Sequence, residues 1–329
     1  MTFVNAHTHL YSGLAPFLRF PPATEGRSFR RILEEVWWRL DRALDEETLR
    51  ASARWYAANA AALGTDTLFD HHESPSFIEG SLDVIADACT EFGVRAVVCY
   101  GATERNGGSA EAKRGLAECR RFLEENDREG VRGAVGLHAS FTVSNTIIRE
   151  AANLAEEYGT VLHLHLAEAW EDVEDAHERG YEGPLERLAE LGALTAGTIL
   201  AHGVHLSREQ VERAHEAGCW FVHNPRSNRA NGVGYANDLS ASSRVALGTD
   251  GFPSAMDDER DFALNEAREA DDDREKVLAR LEAGRDLAAE FFEDDERPAP
   301  RAIYSEDLAE LEAEARRAAA ILQERLDRL

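Results

Sequence analysis

Two histidines, His7 and His9, stand two residues apart in the stretch NAHTHLYSG, and His163 and His165 repeat that spacing in TVLHLHLAE. Residues two apart on a strand point to the same side, so each pair can turn two imidazoles toward one cation. Glu168 follows three residues after His165, His202 sits in AHGVHL, and Asp250 sits in ALGTDG between glycines that let the backbone turn sharply. Burying imidazoles in a central strand costs free energy unless each finds a partner, and a metal is one such partner. Three histidines and one aspartate make a borderline-to-hard donor set that suits Zn2+ or Fe2+ and leaves a position for water. That is the chemistry of a hydrolytic site.

Residues so far apart in sequence meet only if regular elements gather them. Eight apolar or β-branched runs recur along the chain: TFVNAH from Thr2, TDTLFDHH from Thr65, VRAVVCY from Val94, VRGAVGLH from Val131, TVLHLHLAE from Thr160, TILAHG from Thr198, CWFVHN from Cys219 and RVALGTD from Arg244. Helical patterns lie between them, several opening on a serine cap, as in SAEAKRGLAECRRFLEEN from Ser109. This alternation predicts a parallel sheet with crossover helices, and eight strands close a (β/α)8 TIM barrel. Of the twelve histidines only His177 and His215 fall inside predicted helices. The other ten lie on or just beyond strands, whose C-terminal ends all open on one face of such a barrel.

One long amphipathic segment is expected from Ser28 through Leu63, carrying Trp37 and Trp38, which could line a pocket or pack a helix. EDDERPAPRAI, from Glu293, reads as a connector, and the tail after it as a helix with Leu308, Leu311, Ala315, Ala319, Ile321, Leu322 and Leu326 in a stripe. Residues 1–293 are therefore expected to form the barrel and 294–329 a helical extension, packed on the barrel or on a partner. The acidic run EADDDREK, from Glu269, reads as a solvated face.

The chain has 329 residues, 43% of them hydrophobic, and no apolar run near the length of a membrane span. It opens without a basic stretch followed by an apolar one, and its four cysteines show no C-x-x-C spacing, so reduced, buried thiols and a cytoplasmic protein are expected. The net charge is −26, and only Lys113 and Lys276 among the 36 basic residues are lysines. Such a surface repels phosphates and anionic lipid heads, which excludes nucleic acid and membrane surfaces as partners. Adaptation to high salt and an acidic, arginine-rich proteome both account for it.

Taken together, the H-T-H of the first strand, H-x-H-x-x-E of the fifth, A-H-G of the sixth, N-P-x-S-N of the seventh and G-T-D-G of the eighth resemble the amidohydrolase superfamily. Within it they resemble the ATZ/TRZ-type aminohydrolases related to triazine and guanine deaminases. WWRLDRALDEE, LFDHHESPSFIEGSLD and GLHASFT bring the likeness nearest to the SsnA-like aminohydrolases, over about residues 3 to 253. The resemblance implies His7, His9, His165 and Asp250 as metal ligands, Glu168 as the carboxylate that moves protons to the substrate ring, and His202 as the imidazole orienting the attacking water. Asp250 would help hold that water. His138 and Asn228 would contact substrate, while His71, His72 and His223 would support or pack.

The resemblance further implies a deaminase that hydrolyses a C–N bond of a purine, pyrimidine or triazine and releases ammonia. Relatives with two metals often bridge them with a carboxylated lysine after strand four; GAVGLHASF holds none, which favours one divalent ion, zinc before iron. A β-sandwich built from both sides of the barrel is usual among relatives, and here it is expected to be lacking. A second copy or another chain could cover the surface it would occupy. A chlorohydrolase acting on a similar ring, and a non-catalytic metal-binding scaffold, are the alternative readings.

Overall fold

A computed structural model of the chain describes residues 2–20, 28–293, 296, 298 and 302–329. The apolar runs become strands β1 (Phe3–Thr8), β2 (Thr65–His72), β3 (Arg95–Ala102), β4 (Val131–Gly133), β5 (Val135–Ala139), β6 (Leu162–Leu166), β7 (Ile199–His202), β8 (Trp220–His223) and β9 (Val245–Leu247). All pair in parallel in the order β1-β2-β3-β5-β6-β7-β8-β9, and β4 joins β3 just ahead of β5, so β4 and β5 are two halves of one stave. The architecture is a (β/α)8 barrel with eight staves. Every strand among the described residues belongs to this sheet.

Closure is made by backbone. Thr8 bridges Asp250, and the amides of Thr249 and Asp250 both donate to the carbonyl of His7, each at 3.0 Å. Only a glycine fits this seam at position 248, because a Cβ there would lie 2.8 Å from that carbonyl and 2.7 Å from Val222 Cγ1. Two irregularities of register lie beside the histidines. Between Asn5 and Thr8 strand β1 carries one residue more than β2, and between Leu137 and Ala139 strand β5 carries one more than β6. Such bulges re-aim side chains at the ends of barrel strands.

The long segment expected from Ser28 is divided. It runs as a helix Phe29–Ile32, a π-helical turn Leu33–Trp37, a helix Trp38–Ala43 and, after a break, a helix Glu46–Ala62. Asp45 makes the break by capping the last helix, accepting from the Thr48 amide at 3.0 Å while the Thr48 hydroxyl accepts from its own amide. The tail forms the helix Ser305–Leu326 and packs on Glu46–Ala62, burying Leu311, Ala315, Ala319, Leu322 and Leu326 as expected. Ile321 departs from the stripe and is exposed. Most of the expected connector, including Asp294, Asp295, Arg297 and Ala299 to Arg301, lies outside the described residues. The acidic run is exposed as expected at Glu269, Asp271, Asp273, Glu275 and Lys276, but Asp272 turns inward: it accepts from Tyr235 and Ser240 at 2.7 and 2.6 Å and pairs with Arg280 at 3.1 Å. All four cysteines are buried and unpaired, and no described helix is long and apolar enough to cross a membrane.

Candidate metal centre and active site

The strands deliver the predicted residues to one mouth of the barrel. His7 lies in β1 and His9 just beyond it, His138 in β5, His165 in β6 with Glu168 two residues past its end, His202 closes β7, and Asp250 follows β9. Three of the four non-glycine residues with positive φ among those described are Ala167, His202 and Asp250, at +50°, +77° and +53°. Left-handed backbone is unfavourable for residues other than glycine, and these three residues all lie at strand ends beside the histidine cluster.

Donor atoms of His7, His165, His202 and Asp250 all lie within 4.8 Å of one another. His9 joins through Nε2, 2.7 Å from Asp250 Oδ1 and 3.3 Å from His165 Nε2. Four imidazoles thus share one arrangement, Nδ1 occupied and Nε2 turned inward. His9 Nδ1 donates to the His71 carbonyl, and His165 Nδ1 to the His138 carbonyl at 2.6 Å. His202 Nδ1 donates to Asn228 Oδ1 at 2.8 Å, and His7 Nδ1 meets His163 Nε2 at 2.9 Å. Holding Nδ1 in this way leaves Nε2 as the free lone pair, the tautomer a metal requires.

These donors fit a divalent cation. His7 Nε2 is buried with no hydrogen-bond partner, 3.6 Å from the Asp250 carboxylate, and the separation of the His9 and His165 nitrogens suits two ligands at about 2.0–2.1 Å from one tetrahedral ion. The electrostatics carry the same demand. Burial drives the pKa of His7 down to about 3, against the pull of Asp250, and holds His165 well below its ordinary value. Burial also opposes charge on His9, yet the hydrogen bond to Asp250 and the field of Glu73 lift it to about 10, so the position beside its Nε2 favours positive charge, a proton or a cation. Burial alone would raise Asp250, but the imidazole of His7 beside it and the close contact with His9 hold it well below the usual carboxylate range.

Glu168 takes the opposite protonation. Burial first, then the neighbouring charge of Asp250, pushes its pKa well above the ordinary value. Its Oε2 lies 3.6 Å from His202 Nε2, and its Oε1 accepts from Asn231 Nδ2 at 3.3 Å. Two carboxyls whose surroundings push their pKa values apart are suited to different tasks, one ionised and one carrying a proton.

The chamber over these groups is lined by Tyr11, Trp38, Glu73, Arg105, His138 and Asn231, among others, and roofed by Phe29, Leu33 and Trp37 of the broken helix. Trp37 and Trp38 thus serve the pocket and the packing together. A larger groove of about 900 Å3, among Phe122, Arg132, Thr160 and Arg244, holds none of the histidines. His138 faces the chamber, its ring 6.2 Å from Trp38. Asn228 does not line it: it sits behind His202, and Asn231, one turn further along the helix Pro225–Asn231, reaches the chamber instead. His71 meets Glu73 Oε1 at 2.7 Å beside the cluster, His72 engages Ser74, and His223 turns to Arg280. Ser227, whose hydroxyl donates to Asp250 Oδ2, went unread in the sequence, as did Glu73 and Arg105. Glu73 and Arg105 follow strand ends, which was the available signal.

Residues 2–280 match the amidohydrolase family. A 5'-deoxyadenosine deaminase of Methanopyrus kandleri is 30% identical over 256 residues, covering 76% of this chain and 56% of that protein. An 8-oxoguanine deaminase of Pseudomonas aeruginosa is 31% identical over 288 residues, covering 81% and 62%. The chain therefore spans a little over half the length of these relatives. A solved adenosine deaminase from Xanthomonas campestris with bound zinc superposes with a TM-score of 0.78 at 21% identity, over 98% of this chain and 85% of that one.

Proposed function

Because this chain belongs to the amidohydrolase family, we propose that it is a metal-dependent aminohydrolase that removes an amino group from a nitrogen heterocycle as ammonia. The observation that carries this reading is the convergence of buried imidazole Nε2 atoms on Asp250, with the Glu168 carboxyl 3.6 Å from His202 Nε2. His7, His9, His165 and Asp250 would hold the ion, zinc being favoured by the imidazole-rich set, with iron second. When bound, such an ion acidifies a water molecule toward neutral pH, which supplies the nucleophile for hydrolysis.

The chain's own residues do the rest. Glu168 keeps a proton at the chamber wall, where a ring nitrogen of the substrate can receive it, and the carboxylate left behind can take a proton from the attacking water and pass it to the departing amine. His202, fixed by Asn228 and 3.6 Å from Glu168, aligns the polar face opposite the ring. His138 and the aromatic roof exclude solvent from a flat substrate. The names of the relatives, deaminases of 5'-deoxyadenosine and 8-oxoguanine, support the reaction class. Residues 1–293 are read as the catalytic unit and 294–329 as an extension that braces the outer helix Glu46–Ala62. The buried, unpaired thiols accord with a cytoplasmic location.

The test is metal analysis of the purified chain followed by an ammonia-release screen over purines, pyrimidines and triazines. Glu168→Gln should retain the metal while turnover falls about 10²- to 10⁴-fold. Unchanged turnover removes Glu168 from this role, and chloride release from a chlorinated ring with no ammonia from any amine replaces the reaction.

A further inference from the structure

Among the described residues Arg105 is the only arginine or lysine lining the chamber, which it shares with the acidic Glu73, Glu168, Asp172 and Asp250. Its side chain is 6% exposed, just beyond the end of β3. Nη2 donates to Asp41 Oδ2, and the guanidinium carbon lies 5.2 Å from the centre of the Trp38 ring. Asp41, 1% exposed, stands behind Arg105 and does not line the chamber, so it positions the cation and offsets its charge. Two guanidinium nitrogens, Nε and Nη1, remain buried without a partner among the described residues, and so does the indole Nε1 of Trp38. Buried N–H groups without an acceptor are unfavourable, and these three nitrogens belong to two residues that both line the chamber.

The chemistry of the missing acceptor follows from the donors. Three donor nitrogens, two of them on one guanidinium cation, suit a group that offers more than one lone pair and carries negative charge. An oxo or carboxylate oxygen has two lone pairs, whereas an unsubstituted ring nitrogen offers a single in-plane one. Resting on the deaminase reading above, we propose that Arg105 and Trp38 form the specificity wall of this chamber. They select heterocycles that bear an oxygen acceptor, oxo or carboxylate, in addition to the departing amino group. Asp41 is a positioning residue for that wall.

The test measures binding with rings that have no amino group to lose, so it does not depend on turnover. Uracil is compared with pyrimidine, xanthine with purine, and pyrimidine-4-carboxylate with pyrimidine, by calorimetry on the zinc-loaded full chain. The oxygenated member of a pair should bind about 10- to 100-fold tighter, the range for hydrogen bonds to a charged donor. The Asp41→Asn/Arg105→Gln double variant, which removes both buried charges together, should erase that difference and leave pyrimidine and purine unchanged. Trp38→Phe, which keeps the stacking surface and deletes only the indole N–H, gives a second readout and should narrow the difference severalfold if the double variant does not fold. A preference for uracil and xanthine alone assigns an oxo group, and for the carboxylate alone a carboxylate substituent; either supports the wall. Equal affinity within every pair, or a difference that survives in both variants, overturns it. If the wall behaves as stated and no aminated ring releases ammonia, the deaminase reading fails while the assignment of Arg105 stands.

Discussion

Gly248→Ala tests whether the closure seam of the barrel sets the metal site. The added methyl would lie 2.8 Å from the His7 carbonyl oxygen, 2.7 Å from Val222 Cγ1 and 2.5 Å from Asn224 Oδ1. Restoring ordinary contact, 3.4 Å, requires the His7 backbone to recede by 3.4 − 2.8 = 0.6 Å, and the backbone cannot yield as a side-chain tip does. Overpacking of this kind costs about 1–3 kcal/mol, which for a chain of this size lowers the melting temperature by only a few degrees. The effect on the ion should be larger, because ligand distances in metal sites hold to about 0.2 Å and the shift moves His7 by several times that. It also strains the Thr249 and Asp250 amides, which both donate to the same carbonyl. Zinc affinity, titrated against a chromophoric chelator, should therefore fall about 10- to 100-fold, the range seen when supports of metal ligands are lost. Gly284→Ala is the control, since it places a methyl 3.2 Å from Val4 Cβ on the same strand and away from the seam; its zinc affinity should stay near wild type. Wild-type zinc affinity in Gly248→Ala, with an unchanged melting temperature, would refute the reasoning.

Further expectations concern the ligand set and the surface charge. His9→Asn should lose stoichiometric zinc while His202→Asn keeps it and loses turnover; the reverse pattern in inductively coupled plasma analysis would exchange the two roles, which both sit in the histidine cluster. With a net charge of −26, the chain should gain melting temperature as KCl rises from about 0.01 M to 1 M, since the screening length contracts from about 30 Å to 3 Å. A flat or falling profile would show that the acidic surface is not a source of instability at low salt.

Much of the site was legible because its parts are strand-end residues, and strand ends announce themselves locally. Alternating apolar runs with turn residues after them place His7, His165, His202 and Asp250 on one face of a barrel, and Glu168 comes with its strand. The simple rule that residues two apart share a side explained less than it promised. The bulge between Asn5 and Thr8 changes the register of β1, and His9 lies past the strand's end, its ring meeting that of His7 nearly edge-on at 4.9 Å. Asn228 was misplaced for a related reason. A helix turns each residue by a fixed angle, but which residue faces the chamber depends on how the helix is set against the barrel, and that setting favours Asn231.

Residue type and local periodicity determined the eight-stave barrel and which histidines and carboxylates stand at its strand ends, since each is written within a single strand and its following loop. The roles proposed for them rest on the likeness of those motifs to the amidohydrolase family. Tertiary structure alone decided which imidazole nitrogen turns into the histidine cluster, because the carbonyls of His71 and His138 that hold Nδ1 belong to neighbouring strands. It alone decided that Asp41, Trp38 and Arg105 form one wall, joining residues 64 positions apart across the broken helix and β3. The physical reason is the same in both cases: a sequence pattern records which face of an element is buried, whereas the partner of that face is set by register and closure.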